Sequence, residues 1–433
     1  MGKLIRTVTI AFLIGLAVCL LGYLWTKDAA PPDVSDLRVE RPDLPDEQNA
    51  WSYFRKAGIE ANWPDYREER EEDEKLSAAL ELEEWDEELV EKWLERNAEA
   101  LETWRRGLRQ NESVAPKMKV GALMPELEGM RTLAQLAVLR AAYLHRQGRD
   151  YAAFEECLRT IRFGHRIQNS RGPLLHYFVG NAVKAIGVYT WLRLLPEAEL
   201  APDALREFAR ELQKYQRNEE GLKNTFRTEY EYQEQTVEQI SSGRFGAPEL
   251  GMDRARYREM MSRGFGRLFW KPNATRRLLA RMIRVSVDNV PRTLAETDFS
   301  EMPETPEVEG PFSIARLTVS GNSIGRILIP MLKPAYERVQ EQKCRSRLEI
   351  AVLRTMLALK AHKVRTGRLP ESLRELVPQY LPRMPADPFD GEPLRYSREK
   401  RIVYSVGQDL EDSGGSKGDD RPSMEEPTYE IEI

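Results

Sequence analysis

Five residues from Gly321 to Gly325, GNSIG, are the clearest candidate for catalytic chemistry in the chain. They fit the pattern G-x-S-x-G, in which a tight turn between a strand and a helix exposes a nucleophilic serine. Ser323 would be that nucleophile, and His362 is the only downstream histidine that could serve as its base. A hydrolase of this kind needs alternating strands and helices before the motif, whereas this sequence shows helical patterns there. We therefore keep serine hydrolysis as an alternative, assign no catalytic residue and predict a non-catalytic protein.

The four histidines, His145, His165, His176 and His362, are not spaced as metal ligands. No HExxH sequence occurs, and no two cysteines have the C-x-x-C spacing typical of zinc sites. A glycine-rich nucleotide motif following a strand is also absent from the sequence. We predict that the histidines are ordinary surface or core residues.

Composition favours a protein of amphipathic helices. Of the 433 residues, 31% are charged and 41% are hydrophobic, and the net charge is −5. No sustained basic block is present, so nucleic acid is not an expected partner. Three cysteines are too few for a disulfide framework. Cys19 lies in an apolar stretch, and Cys157 and Cys344 are predicted to be unpaired core thiols, with one disulfide between them as the alternative.

The N-terminal region has the pattern of a membrane anchor. Residues 8–25 carry no charge, and a helix needs about 20 such residues to cross a bilayer. Lys3 and Arg6 precede this stretch and acidic residues follow it, which predicts a cytoplasmic N-terminus and an extracytoplasmic bulk. The flanks do not suit cleavage by a signal peptidase. The sequence thus predicts a tip and transmembrane anchor over residues 1–27, followed by a proline-rich extracytoplasmic spacer over residues 28–46.

Residues 47–343 show helical periodicity and predict an all-α body of helical hairpins. The acidic stretch over residues 65–91 predicts a solvated helix face. The clearest helical pair covers residues 131–166, with its turn near Gly148. Asn273 stands where a helix N-cap belongs.

The last part of the chain changes character. A helical stripe ends at Gly367, and RLPESLRELV after it predicts a second short helix. Residues 378–396, PQYLPRMPADPFDGEPLRY, predict an extended crossing with turns. The alternation of Leu394, Tyr396, Ile402 and Tyr404 then predicts a short hairpin.

The sequence from Arg345 to Asp420, about a sixth of the chain, resembles the globular half of the major pseudopilin of type II secretion, pseudopilin G. The similarity rests on the order of G-R-x-P-x-S-L-x-x-L-V-P-x-Y-L, D-P-F-x-G, L-R-Y and Y-S-V-G-x-D. The resemblance implies a small α+β region over residues 344–433, ending in an acidic tail. It also implies a bacterial protein, and with the predicted anchor it places the chain as a single-pass protein of the cytoplasmic membrane.

Pseudopilin G binds calcium in the acidic loop after its Y-S-x-G turn, and the matching stretch here is SVGQDLEDSGGSKGDD. The resemblance implies Asp409, Asp419 and Asp420 as ligands, with Asp412 as a substitute. The alternative is a solvated acidic tail without a metal.

Taken together, the sequence predicts a mainly α protein with an N-terminal transmembrane helix, a helical-hairpin body and a small pseudopilin-like C-terminal region. The predicted function is a structural or protein-interaction component of the bacterial envelope, with the membrane and an unidentified protein as partners. A pseudopilus-associated subunit and a serine hydrolase using Ser323 are the alternatives.

Overall fold

The computed structural model describes residues 27–245, 253–262, 266–304, 321–415 and 425–433. These residues are mainly helical and include a small antiparallel sheet. The α-helices are α1 Ala50–Glu60, α2 Arg70–Glu81, α3 Glu87–Arg96, α4 Ala98–Leu108, α5 Pro125–Arg146, α6 Asp150–Gln168, α7 Leu174–Leu194, α8 Pro202–Gln216, α9 Glu219–Ser241, α10 Arg254–Ser262, α11 Gly266–Phe269, α12 Pro272–Asp288 and α13 Ser323–Thr366. The strands are β1 Arg395–Ser397, β2 Ile402–Tyr404 and β3 Thr428–Glu430.

The predicted membrane anchor requires a correction. Among the described residues, none of the helices combines the length and the apolar character that crossing a bilayer demands. The fold-class prediction, which included a transmembrane helix, and the location that depended on that helix are contradicted by this finding. The stretch on which the anchor prediction rested, residues 8–25, lies outside the described residues.

The chain divides into two compact units, each built from separate stretches of sequence. The smaller unit comprises Met1–Arg38, Glu229–Ser286 and Asp298–Glu337. The larger unit comprises Val39–Thr228, Val287–Thr297 and Arg338–Ile433. The boundaries drawn from sequence composition lie at residues 46 and 343, and the limits of the compact units include residues 38 and 337.

The larger unit is built on helical hairpins that bury apolar stripes. The expected pair is confirmed: α5 and α6 are joined at Gly148, whose φ of 70° suits a residue without a side chain. α7 then packs against both of them. Trp104, Phe163 and Phe54 are fully buried between α1, α4 and α6, and their rings meet at angles typical of aromatic edge-to-face packing.

A second cluster of buried apolar residues in the larger unit includes residues of the C-terminal sheet. Residues 344–361 of α13 supply apolar side chains that pack with those of α7 and α8, and Phe389, Val403 and Tyr429 join the same cluster. Gly367, with φ of 76°, ends α13 as expected. The helix expected after it is reduced to a single 3₁₀ turn over Leu373–Leu376.

The C-terminal hairpin is present, and a third strand extends it. β1 pairs with β2 in antiparallel register, with Tyr396 opposite Val403. β3 pairs with the other edge of β2, and Val403 faces Tyr429 there. The region expected to form an acidic tail thus includes a strand, β3. Tyr429 in this strand and Ile431 just after it are both buried.

In the smaller unit, residues expected to form a spacer pack against α12. The Asp28 carboxylate accepts hydrogen bonds from the backbone N–H groups of Asn273 and Ala274, at 2.9 and 3.1 Å. A carboxylate at this position satisfies N–H groups that have no partner within the helix. The predicted cap, Asn273, instead lies inside α12, and its side chain donates to the Ala29 carbonyl. Residues 28–38 are therefore part of the folded unit.

The two described cysteines are free thiols. Cys157 and Cys344 are both buried and neither forms a disulfide. Burial raises the pKa of each thiol. This confirms the interpretation of both as unpaired core residues.

Candidate functional site

The GNSIG motif has a structural explanation at the start of α13. Gly321 and Asn322 both have positive φ angles, 69° and 60°, and α13 begins at the next residue, Ser323. The Asn322 side-chain oxygen accepts from the Lys271 backbone N–H at 2.9 Å and from the Thr275 hydroxyl at 3.1 Å. A β-carbon at Gly325 would lie 2.1 Å from that same hydroxyl oxygen. The glycines and the asparagine thus connect the start of α13 to the start of α12.

Ser323 lies in the smaller unit, 8% exposed. The residue ranges of that unit contain no histidine, since all four histidines of the sequence fall in the larger unit. A serine nucleophile needs a base within hydrogen-bond reach, commonly a histidine. The geometry therefore does not bring Ser323 and His362 together as a catalytic pair within one compact unit.

The histidines are engaged in local packing. His145 Nδ1 lies 2.5 Å from the carboxylate of Asp150, across the turn between α5 and α6. His176 stacks on Trp51 at 4.7 Å, with the rings nearly parallel, and its Nδ1 contacts the Ser170 hydroxyl at 3.0 Å. Burial lowers the pKa of His176 to about 4. These contacts agree with the prediction of ordinary core histidines.

His165 on α6 is partly buried, and His362 on α13 is buried. Burial, with a smaller contribution from the Lys184 charge, lowers the pKa of His165 to about 3. His362 Nδ1 lies 3.1 Å from the Arg368 carbonyl, near the end of α13. His362 thus contacts the segment that follows α13, and the His165 ring packs edge-on against Tyr215 at 5.4 Å.

The residues implied as calcium ligands are only partly described. Asp409 is exposed and accepts from the Glu411 backbone N–H at 3.1 Å, which closes a local turn. Asp412 accepts from the Tyr404 hydroxyl at 3.2 Å and lies 3.5 Å from the Arg395 guanidinium. Asp419 and Asp420 lie outside the described residues.

Two cationic side chains, Lys400 and Arg395, contact oxygen atoms of this loop. Lys400 Nζ donates to the carbonyl oxygens of Gly414 and Gly415 at 2.6 and 3.0 Å. Calcium needs six to eight oxygen ligands, and loop carbonyls are among the groups it uses. Within the described ranges, no group of three or more His, Cys, Asp or Glu side chains is arranged to hold a metal ion. Because Asp419 and Asp420 lie outside the described residues, the calcium site implied by the resemblance stays a prediction.

The carboxylate that organises this region is Asp387, within the DPFDG turn. Asp387 is fully buried and accepts from the Phe389 and Val406 N–H groups and from the Ser405 hydroxyl, at 3.0, 3.1 and 2.9 Å. The Arg395 guanidinium lies 3.0 Å from it. Burial raises the pKa of Asp387, and these hydrogen bonds oppose the increase. Asp387 thus joins the turn to the end of β2.

An acidic surface on α2 and α3 is the largest concentration of like charge among the described helices. Residues 65–102 contain seventeen acidic and five basic side chains, a net charge of −12. The rest of the chain is therefore net +7, because the whole chain is −5. Beneath the acidic residues, Trp93, Val90 and Leu76 form a buried cluster with α5. The expectation of a solvated helix face for this acidic stretch is confirmed.

Some of these carboxylates have structural roles. Glu72 accepts from Lys92 Nζ and from the Trp93 indole N–H, both at 2.7 Å, and these hydrogen bonds lower its pKa. Asp73 accepts from the Trp63 indole N–H at 2.8 Å. Asp86 accepts from the Leu89 N–H at 3.1 Å and caps α3. These groups fix the two helices relative to each other.

Four other carboxylates project into solvent without such partners. Glu83, Glu84, Glu87 and Glu88 are exposed, and none of them forms an ion pair with another described residue. They lie together at the link between α2 and α3 and in the first turn of α3. We call this group the acidic corner. The α3 dipole offsets part of the repulsion between Glu87 and Glu88, while Glu83 and Glu84 precede the helix.

No family model, no characterised protein and no solved structure matches the chain. The geometry of the described residues is therefore the basis for any functional assignment. Within the acidic face anticipated from sequence, the acidic corner is the part that is exposed and has no ion-pair partner among the described residues.

Proposed function

We propose that this protein is a non-catalytic interaction component that binds a basic protein surface at the acidic corner. The observation that carries the proposal is the separation of charge, with residues 65–102 at −12 in a chain that is otherwise net positive. Exposed like charges cost free energy in the isolated protein through mutual repulsion. A complementary cationic partner would reverse that cost.

The support of the acidic corner suits a docking surface. α2 and α3 are anchored from below by Trp93, which is fully buried, and by the hydrogen bonds of Glu72. A surface held in this way loses little conformational freedom when a partner binds. The partner chemistry expected here is a surface of lysine and arginine side chains, whose attraction increases the rate of association and selects the orientation.

Photo-crosslinking in the native host tests this proposal. A photoreactive residue is placed at Ser77, which is exposed on α2 close to the acidic corner, and a second one at Leu123, which is 91% exposed and outside residues 65–102. We expect an adduct from position 77 that position 123 does not give. The captured protein is then purified, and its affinity for this chain is measured at several salt concentrations.

The decisive variant replaces the acidic corner by glutamines at positions 83, 84, 87 and 88. Binding should weaken by about tenfold or more at low salt and become less sensitive to salt, because exposed charges are screened within a Debye length of about 8 Å at physiological ionic strength. The matched control also removes four charges, with Gln in place of Glu128, Glu207, Glu399 and Glu432, all exposed and outside the acidic segment. Equal affinity for the wild type and the acidic-corner variant would reject the proposal.

A further inference from the structure

A small cavity inside the larger unit is lined by polar and cationic side chains. The volume of this cavity that the centre of a water molecule can occupy is about 10 Å³. A site of this size admits one water molecule or one monatomic ion. The lining side chains come from α6, α7, α13, the end of α8 and the link between α8 and α9; they are Gln168, Tyr177, Lys184, Gln216, Asn218, Lys343, Ser346 and Arg347.

Two helix faces supply most of these groups. Tyr177, Asn181 and Lys184 follow the i, i+4, i+7 spacing along one face of α7, and the Asn181 side-chain oxygen accepts from the lining residue Gln168 at 2.5 Å. Ser346 and Arg347 come from α13. Both helices are otherwise packed through apolar contacts in the same unit. The polar groups are therefore a local exception within an apolar helix junction.

Hydrogen-bond donors at this junction are left over. Ser346 lines the cavity and is 6% exposed. Its hydroxyl group is buried and has no hydrogen-bond partner. The Asn181 side-chain NH₂ is likewise buried without a partner. Lys184, only 3% exposed, donates one hydrogen bond, to the Tyr215 carbonyl at 3.0 Å, and an ammonium has three N–H groups to give. Buried donors without acceptors are costly, so an acceptor in the cavity would stabilise the fold.

The charge of the lining favours an anionic acceptor. Three of the eight lining side chains are cationic, and none of the eight is acidic. The Lys343 ammonium is occupied by the carbonyl oxygens of residues 289, 290 and 292. Arg347 has Glu219 at 3.6 Å as a partner, and the buried Glu349 lies close enough to influence Lys184. Burial lowers the pKa of Lys184 to about 8, and the charge of Glu349 opposes part of this decrease.

We propose that this cavity binds a single monatomic anion of the size of chloride, held by the Lys184 ammonium, the Ser346 hydroxyl and the Arg347 guanidinium. The ion would join α7 to α13 across the junction. The site is separate from the acidic corner, and the proposal does not depend on the function assigned to that surface.

Thermal unfolding of the full chain tests the site. Sodium chloride replaces sodium gluconate at constant ionic strength, so that only the identity of the anion changes. We expect chloride to raise the unfolding midpoint by a few degrees and the effect to saturate, as mass action requires for a ligand of the folded state. Bromide should do the same, and crystals grown with bromide should show an anomalous peak beside Ser346.

Two variants assign the effect to the cavity. Lys184→Met should weaken chloride binding by roughly tenfold to a hundredfold, the range for loss of one charged hydrogen bond. Ser346→Ala removes only a hydroxyl group and should also weaken chloride binding. This variant tests the site if Lys184→Met does not fold. Lys56→Met, at a lysine 61% exposed, removes the same charge from the surface and should retain the chloride response.

Three outcomes would overturn the proposal. One is an identical midpoint in chloride and gluconate. A second is a chloride response that survives unchanged in Ser346→Ala and Lys184→Met, which would indicate a general ionic effect. The third is an ordered water without anomalous signal in the bromide crystals.

Discussion

Gly164 of α6 and Gly180 of α7 lie directly against each other where these helices cross. A β-carbon at position 164 would lie 2.5 Å from the Gly180 carbonyl oxygen, and one at position 180 would lie 2.7 Å from the Gly164 carbonyl oxygen. The contact brings the two backbones close together. It also places the backbone of Lys184 next to Gly164, so that its side chain enters the helix junction.

Gly164→Ala should therefore destabilise the protein, even though alanine is the better helix former. The added methyl group meets backbone atoms that cannot move alone, and overpacking of this kind costs about 1–3 kcal/mol. Urea unfolding measures the change. Ser77→Ala, on an exposed face of α2, is the control and should stay within about 0.5 kcal/mol of the wild type. Equal stabilities of both variants would show that the helices separate freely at this crossing.

The buried histidines make the folded state sensitive to acid. His165 and His176 have pKa values of about 3 and about 4 in the folded protein, below their ordinary value of 6.5. Between these values the unfolded chain binds more protons than the folded one, so stability falls as the pH decreases from 6.5 toward 4.

Measurement between pH 5 and 6.5 keeps most carboxylates ionised. Each histidine should contribute a slope of up to about 1.4 kcal/mol per pH unit in the free energy of unfolding. His165→Leu should have the shallower slope because it removes one of these groups. Parallel pH profiles of the wild type and the variant would contradict the assignment of His165 as a neutral buried residue.

Asp387→Asn should destabilise the C-terminal sheet. The variant removes a fully buried charge that faces Arg395, while Arg395 keeps Asp390 as a partner at 2.5 Å. The expected cost is that of losing a hydrogen bond to a charged group, about 1.5–3 kcal/mol. Asp412→Asn removes a second carboxylate near the same arginine at 46% exposure, and should cost no more than about 1 kcal/mol. Hydrogen exchange at the Val406 amide, which donates to Asp387, reports the local effect. Unchanged protection of that amide in Asp387→Asn would refute this role.

Calcium should not stabilise the loop after β2. Lys400 already donates to the Gly414 and Gly415 carbonyl oxygens, and Arg395 lies beside Asp412. We expect the same unfolding midpoint in millimolar calcium and in chelator. Lys400→Met removes the ammonium and should lower the midpoint slightly in both. A rise of several degrees with calcium in the wild type would restore the metal site that the resemblance implied.

A serine-reactive probe should label the wild type and Ser323→Ala equally. The residue ranges of the unit that holds Ser323 contain no histidine, and a serine nucleophile commonly needs a histidine within hydrogen-bond reach. Gel fluorescence after treatment with a fluorophosphonate reports the labelling. Ser77→Ala controls for background reaction at exposed serines. Labelling that disappears only in Ser323→Ala would establish the hydrolase alternative.

The sequence predicted features that depend on local rules. Turns at Gly148 and Gly367 follow from the ease with which glycine adopts a positive φ, and the amphipathic stripes of α5 and α6 follow from periodicity. The β1–β2 hairpin followed from alternation. The acidic face was predicted from charge alone.

Features that depend on distant contacts were not predicted. The cap of α12 by Asp28 joins residues 245 positions apart. β3 is short and lies in an acidic sequence, so its alternation was too weak to recognise. The polar spacing of Tyr177, Asn181 and Lys184 was visible in an otherwise apolar helix. The cavity that this polar face lines could not be predicted, because it also requires Ser346 from α13, which is distant in sequence.

The division of the larger unit into separate stretches of chain has a consequence for biosynthesis. α8 ends at Gln216, and the apolar residues of α13 that cover α7 and α8 begin only at Cys344. At a translation rate of 5–20 residues per second, this interval lasts roughly 6 to 26 seconds. During that time the nascent helices expose surfaces that will later be interior, so a holding chaperone at the ribosome would determine how much of the protein reaches its native state.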